Sequence, residues 1–204
     1  MHDFTREELR ELRRLTSPQK IQDFLDAIPM NFEVNAETCR SPRMVLTCRT
    51  AHCMEGAMLA AAALRLSGYP PLVMDLKAAA SDLDHVVTVF QDRGYFGAIS
   101  KTNHGVLRYR EPVYRSIREL AMSYFHEYFL DNGRKTLRSF SRPIDLSRFD
   151  AKNWMTAEED VWFIPEYIDR VRHFPMLTPP QIKNLRGADA IEREMGKLVE
   201  WSNR

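Results

Sequence analysis

Cys53 and His85 are the residues whose chemical types and neighbours predict a reactive site. Cys53 directly precedes the largely apolar stretch 54–64, which predicts a helix, so the thiol lies in the first helical turn. There the unpaired backbone N–H groups and the positive end of the helix dipole favour a thiolate over a thiol. The same N–H groups can stabilise the oxyanion that forms when sulfur attacks a carbonyl carbon.

His85 supplies the base that a nucleophilic thiol needs. It begins a strand in which Val87 and Val89, at even offsets, are apolar and lie on the same face as the imidazole. An imidazole on such a face either makes a structural hydrogen bond or belongs to a reactive site. A cysteine at a helix start, followed by a histidine at a strand start, favours the second interpretation.

The elements that position these two residues follow from apolar spacing, caps and turn residues. Residues 53–66 predict a central core helix because they are apolar nearly all round, and Gly68 with the following prolines ends it. Strands are predicted over 72–76, 85–90 and 95–100, with a hairpin turn at 91–94. Helices over 3–15 and 18–28 precede a long structured loop over 30–52.

The second half of the chain predicts further helices. Residues 110–128 carry apolar side chains at helical spacing. Residues 146–204 predict a helical C-terminal extension packed on a core of residues 1–145, and its last helix, over 188–201, should turn Ile191, Met195 and Leu198 inward. The predicted fold class is α+β, with the cysteine-bearing helix buried against an antiparallel sheet.

Composition excludes several classes of protein. The 204 residues carry 29 Lys+Arg against 28 Asp+Glu, and this net charge of +1 predicts no attraction to nucleic acid or acidic membranes. Three cysteines are too few for a disulfide framework, and no apolar run approaches the ~20 residues of a membrane span. The charged N-terminal segment does not resemble a signal peptide. These features predict a cytoplasmic protein, and they leave its oligomeric state open.

Four short segments resemble parts of the transglutaminase-like superfamily. Residues 53–57 (CMEGA) and 66–70 (LSGYP) are similar to the start and end of its cysteine helix, and 85–90 (HVVTVF) and 95–99 (YFGAI) to its histidine strand and the next strand. The resemblance covers about residues 17–105 and extends more weakly through the predicted helix to Tyr128. It implies a papain-like fold and a Cys-His-Asp triad acting on amides as a peptidase, amidase, deamidase or transglutaminase. A peptide or protein substrate is then expected, with no cofactor or metal.

One position departs from that family. Its histidine is oriented by an aspartate on the following strand, whereas counting the hairpin register about residues 92–93 places Ser100 opposite His85. A hydroxyl can accept the imidazole N–H, but it cannot stabilise an imidazolium as a carboxylate does. Ser100 is therefore the third predicted site residue, with Asn103 as the alternative if a bulge shifts the register; Asp84 and Asp75 are less favoured by position. Three interpretations stay open: a cysteine-nucleophile enzyme, a degenerate domain that binds a peptide or protein, and an α+β scaffold without acyl chemistry.

Other polar residues carry weaker signals. Cys48, His52 and Cys53 offer three metal ligands without a paired spacing, which does not predict a zinc site. Asn31 or Cys48 could line the oxyanion side, and Glu55 is expected to complement the helix dipole. The arginines between residues 108 and 118 predict a solvated helix face, since aromatic residues suited to base stacking are absent there.

Overall fold

The computed structural model describes residues 4–202 and shows a mixed structure of helices and antiparallel sheet. The termini of the predicted 1–145 and 146–204 ranges, and the first residue of the predicted 3–15 helix, fall outside the described residues. The helices are α1 Arg6–Leu12, α2 Pro18–Ala27, α3 Pro42–Cys48, α4 Cys53–Leu66, α5 Ile117–Met122, α6 Phe163–Arg170, α7 Pro179–Lys183 and α8 Ala190–Gly196. The strands are β1 Leu72–Ala78, β2 His85–Asp92, β3 Tyr95–Ile99, β4 Arg110–Tyr114, β5 Leu137–Ser141, β6 Ile144–Asp145 and β7 His173–Pro175.

Helix α4 is the centre of one core layer. Its side chains from residue 54 to 64 are all buried, and Thr88 on β2 donates a hydrogen bond to the Ala57 carbonyl at 2.6 Å. Burying each large apolar side chain of this helix contributes about 2 kcal/mol. Both bounds agree with the sequence prediction, because an uninterrupted apolar stretch ended by Gly68, at φ 89°, is a strong local signal.

The sheet has the order β4-β3-β2-β1-β5-β7, with β6 also paired to β1. On one face Val86 and Phe90 belong to the core around α4, whereas Val87 and Val89 on the other face belong to the core around α5. The odd positions of β2, which include His85, therefore face away from α4 along most of the strand. Cys53 and His85 approach each other only where α4 and β2 both begin.

The hairpin between β2 and β3 corrects the predicted register. Arg93 and Gly94 both have positive φ, 48° and 88°, and form a two-residue turn that pairs Asp92 with Tyr95. Continuing this register places Ser100 opposite Val87, two residues from the predicted partner. A shift of two keeps a side chain on the same face of the sheet, so Ser100 remains beside His85.

The predicted helix over 110–128 was wrong in its first half. Arg110–Tyr114 forms β4 at the sheet edge, paired with β3, and the helix starts only after Ser116, whose hydroxyl accepts from the Glu119 N–H at 3.2 Å. A 3₁₀ turn at Phe125–Glu127 follows α5. The predicted loop over 30–52 contains helix α3, capped by Ser41.

The C-terminal region also differs from its prediction. Helix α8 is shorter than the expected 188–201, and Ile191, Met195 and Leu198 are 78%, 46% and 64% exposed instead of facing inward. Strand β7 lies within the range predicted as a helical extension, yet it pairs with β5 in the main sheet. No helix within residues 4–202 is long and apolar enough to cross a membrane.

Candidate active site

A cleft of about 610 Å³ opens where α4 and β2 begin, and both Cys53 and His85 line it. Apolar side chains such as Met30, Leu107 and Phe129 form much of its wall. The cleft thus brings the helix-start thiol and the strand-start imidazole to one solvent-accessible space, as a nucleophile and its base require.

Two histidines flank the sulfur of Cys53. Burial by itself raises the pKa of this thiol, but hydrogen bonds from His52 and His85, and the charges on those rings, outweigh burial and lower the pKa to about 5. A thiol with that pKa is ionised at neutral pH, and the thiolate is the nucleophilic form of cysteine. The first-turn N–H of Cys53, which has no intrahelical acceptor, lies beside the sulfur.

Ser100 forms a hydrogen bond with the His85 ring. Nε2 of His85 lies 2.8 Å from Ser100 Oγ, and the Ser100 hydroxyl itself donates to the Leu107 carbonyl at 2.6 Å. Because the hydroxyl hydrogen is used on that carbonyl, Oγ can only accept from the ring, so the proton of the neutral imidazole lies on Nε2. Nδ1 is then the ring nitrogen left for Cys53: it can take the proton of the thiol and, once protonated, donate a hydrogen bond to the thiolate.

Gln22 on α2 holds Ser100 in place from the opposite layer. Its amide oxygen accepts from the Ser100 N–H at 2.9 Å, and its Nε2 donates to the Ser100 carbonyl at 2.8 Å. All of these groups are buried, so the pair fixes the serine backbone in an apolar environment. Gln22 was not predicted from the sequence as a site residue. The one local signal was its position next to Ile21, on the side of α2 that is buried.

The alternative orienting residues are engaged elsewhere. The side-chain amide of Asn103 exchanges two hydrogen bonds with the backbone of Trp201, each 2.9 Å long. Asp84 accepts from Lys77 and from the Ala78 N–H. Asp75 is paired with His173 at 2.8 Å, and neither residue lines the cleft.

Glu55 ties the helix start to the preceding loop. Its carboxylate is fully buried and accepts from the Asn31 amide, the Thr38 hydroxyl and the N–H groups of Arg40 and His52, at 2.7–3.3 Å. This is more than the dipole role expected from sequence. It also commits the Asn31 amide to Glu55, so Asn31 is not a free oxyanion donor.

His52 is the second residue that sequence reasoning underestimated. It caps α4, with Nδ1 accepting the Met54 N–H at 3.2 Å and Nε2 lying 2.9 Å from the Thr38 carbonyl. Burial lowers the pKa of His52, but the hydrogen bond to Cys53 and the charge of Glu55 raise it to about 9. The Met54 contact needs an unprotonated Nδ1, so this capping geometry is that of the neutral ring.

The remaining sequence candidates lie away from this chemistry. Cys48 is exposed near the end of α3, and Cys39 is buried, where burial raises its pKa to about 12. Within residues 4–202, no three His, Cys, Asp or Glu side chains are grouped closely enough to hold a metal ion. The arginines at 108 and 110 are not on a helix: Arg108 pairs with Glu200 and Arg110 with Glu127.

Comparison with known proteins adds no family, since no protein-family model matches the chain and no curated protein matches its sequence.

Proposed function

We propose that this protein is a cysteine-nucleophile hydrolase or acyltransferase that acts on amide or peptide bonds through a thioester, with a core of the transglutaminase-like, papain-like kind. The observation that carries the proposal is the directed chain from Leu107 through Ser100 to His85, which leaves Nδ1 of the imidazole facing a low-pKa thiol. A histidine with only a structural role needs no reactive thiol on its second nitrogen.

The proposed reaction has two halves. The Cys53 thiolate attacks the carbonyl carbon, forming the S–C bond while the oxyanion is stabilised by N–H groups at the start of α4. The tetrahedral species collapses and the C–N bond breaks, while the His85 imidazolium, which carries the proton taken from the Cys53 thiol, transfers that proton to the leaving amine; a thioester remains. Water or a second amine, deprotonated by His85, then attacks the thioester and releases Cys53 as the thiolate.

A second candidate function is a degenerate domain that binds a peptide or protein partner without turnover. Ser100 favours it, because a hydroxyl holds the imidazole in place yet gives an imidazolium no charge stabilisation. The buried Ser100 and Gln22 pair is compatible with either function, since both need an ordered cleft.

The deciding experiment detects the covalent intermediate. Purified protein is incubated with a mixture of peptides with and without glutamine. Released ammonia is measured, and mass spectrometry detects new peptide termini and acyl adducts on Cys53. If the protein is an enzyme, the release of ammonia or of new peptide termini should be abolished in Cys53→Ala. In His85→Ala it should be reduced at least about a hundredfold. Cys48→Ser is the matched control and should leave turnover unchanged, because Cys48 is exposed and outside the cleft. Peptide binding without adduct or product would establish the binding domain instead.

A further inference from the structure

A second cleft, of about 370 Å³, lies apart from the Cys53 cleft and shares none of its lining residues. Asp145, on its wall, pairs with Leu72 at the start of β1, whereas His85 pairs with Leu76 toward the other end of that strand. The proposed acyl chemistry makes no use of this second cleft.

Three arginines from separate parts of the chain line it: Arg142 between β5 and β6, Arg148 in the 3₁₀ turn Leu146–Lys152, and Arg172 between α6 and β7. We call it the arginine cleft. None of the three guanidinium groups forms an ion pair with a carboxylate within residues 4–202. The one carboxylate on the wall, Asp145, accepts the Ser147 N–H at 2.8 Å and caps the 3₁₀ turn.

Aromatic rings hold these guanidinium groups. The Cζ atoms of Arg142 and Arg172 lie 5.2 and 4.9 Å from the centre of the Phe174 ring, and Arg148 Cζ lies 4.1 Å from that of Tyr167. A guanidinium over a ring is attracted through its face, and the N–H groups at its edge remain available to an acceptor. The rings therefore order three positive groups around one space without neutralising them.

We propose that the arginine cleft binds the phosphoryl group of a small phosphorylated ligand. A phosphate monoester offers three terminal oxygens and close to two negative charges, which suits several guanidinium forks, whereas a carboxylate offers two oxygens and one charge. A nucleic-acid strand fits less well, because guanidinium groups already lie over the Tyr167 and Phe174 rings on which bases would stack.

Calorimetric titration with inorganic phosphate and pyrophosphate tests this directly. Each should bind the wild type, and pyrophosphate should bind more tightly because it carries more charge. Substituting Arg142, Arg148 and Arg172 together by Gln should raise the pyrophosphate Kd by a factor of about ten or more, and each single substitution should raise it less. Arg170→Gln is the matched control: it removes one positive charge from α6, its side chain is 78% exposed, and it lies outside the cleft, so its Kd should change less than about twofold.

The outcomes separate this site from the proposed active site. Cys53→Ala should bind pyrophosphate as the wild type does, whatever becomes of acyl chemistry. The proposal is overturned if pyrophosphate does not bind, or if its Kd is the same in the triple variant and in the single variants as in the wild type. An affinity for glutarate equal to that for pyrophosphate would assign the cleft to carboxylate ligands. Binding only to vesicles containing phosphatidic acid would assign it to a membrane surface. Either result also overturns the proposal of a small phosphorylated ligand.

Discussion

His85 donates its Nε2 hydrogen to Ser100 at 2.8 Å, and this contact decides which nitrogen of the ring is turned to the thiol. A third residue determines the direction of this hydrogen bond. The Ser100 hydroxyl donates its hydrogen to the Leu107 carbonyl, so it can only accept from His85. A carboxylate in the place of Ser100 would orient the ring equally well and would also stabilise its charged form.

Ser100→Ala should therefore impair both stability and reactivity. It removes the acceptor from a buried imidazole N–H, which costs about 1–3 kcal/mol of unfolding free energy. The ring also loses its preferred tautomer, so alkylation of Cys53 by iodoacetamide at pH 6 should slow severalfold. Urea denaturation and labelling rates measure the two effects. Ser139→Ala on β5 serves as the comparison, and equal behaviour of the two variants would contradict the orienting role.

The pH dependence of Cys53 alkylation should report its lowered pKa. In a Cys48→Ser background, with Cys39 buried, the rate should rise with a midpoint near pH 5 and be nearly flat above pH 7. His85→Ala should move the midpoint upward, toward the ordinary thiol value of about 8.5. A wild-type midpoint at or above pH 8 would show that the two imidazoles do not stabilise the thiolate.

The same pKa shift makes folding stability depend on pH. The folded pKa of Cys53 is depressed, so its contribution to the unfolding free energy is fully present above about pH 8.5 and is lost as pH falls toward 5. His52 has the opposite sign: its raised pKa stabilises the fold below about pH 6.5, and that contribution is lost as pH rises through 9. Comparing wild type with Cys53→Ala across pH 4–9 should show a stability difference that changes most between pH 5 and 8.5.

Glu55→Gln should destabilise the start of α4 and the loop over 31–40 together. Four donors converge on this buried carboxylate, and a glutamine would turn one NH₂ group toward some of them. The expected loss is about 2–4 kcal/mol. Chemical denaturation measures it, and Glu158→Gln, at an exposed position, should lie within about 0.5 kcal/mol of the wild type.

Gly56→Ala should lower stability although alanine is the better helix former. A Cβ at position 56 would lie 2.4 Å from Cβ of Lys101, whose ammonium is committed to the carbonyls of Leu25 and Ile28. The overlap should cost about 1–3 kcal/mol, outweighing the ~1 kcal/mol that helix propensity favours. A variant as stable as the wild type would mean that Lys101 can yield without cost.

Local signals in the sequence were sufficient for the parts of the fold that form within one segment. The apolar run after Cys53, the glycine at position 68 and the β-branched strand after His85 predicted α4 and β2 because caps, turns and apolar period are encoded by neighbouring residues. The order of these elements also identified the Cys53 thiol and the His85 imidazole as a candidate nucleophile and base. Their catalytic role stays a prediction.

The tertiary structure decided what depends on residues far apart in the chain. Strands β4 and β7 are short, and their pairing with β3 and β5 outweighs their weak local pattern. The hairpin turn is centred one residue later than the sequence predicted, which changes the residue opposite Ser100 on β2. The ring proton of His85 can be assigned only because the structure places the Leu107 carbonyl beside the Ser100 hydroxyl.

The same distinction separates the two clefts. A helix-start cysteine can be recognised in a sequence, because the dipole and the free N–H groups belong to its own helix. The hydrogen bonds of Gln22 to Ser100 span 78 residues, and the arginine cleft joins residues 142, 148 and 172, so neither has a local pattern. Such sites exist only once the chain has folded, since their energy comes from contacts that no single segment contains.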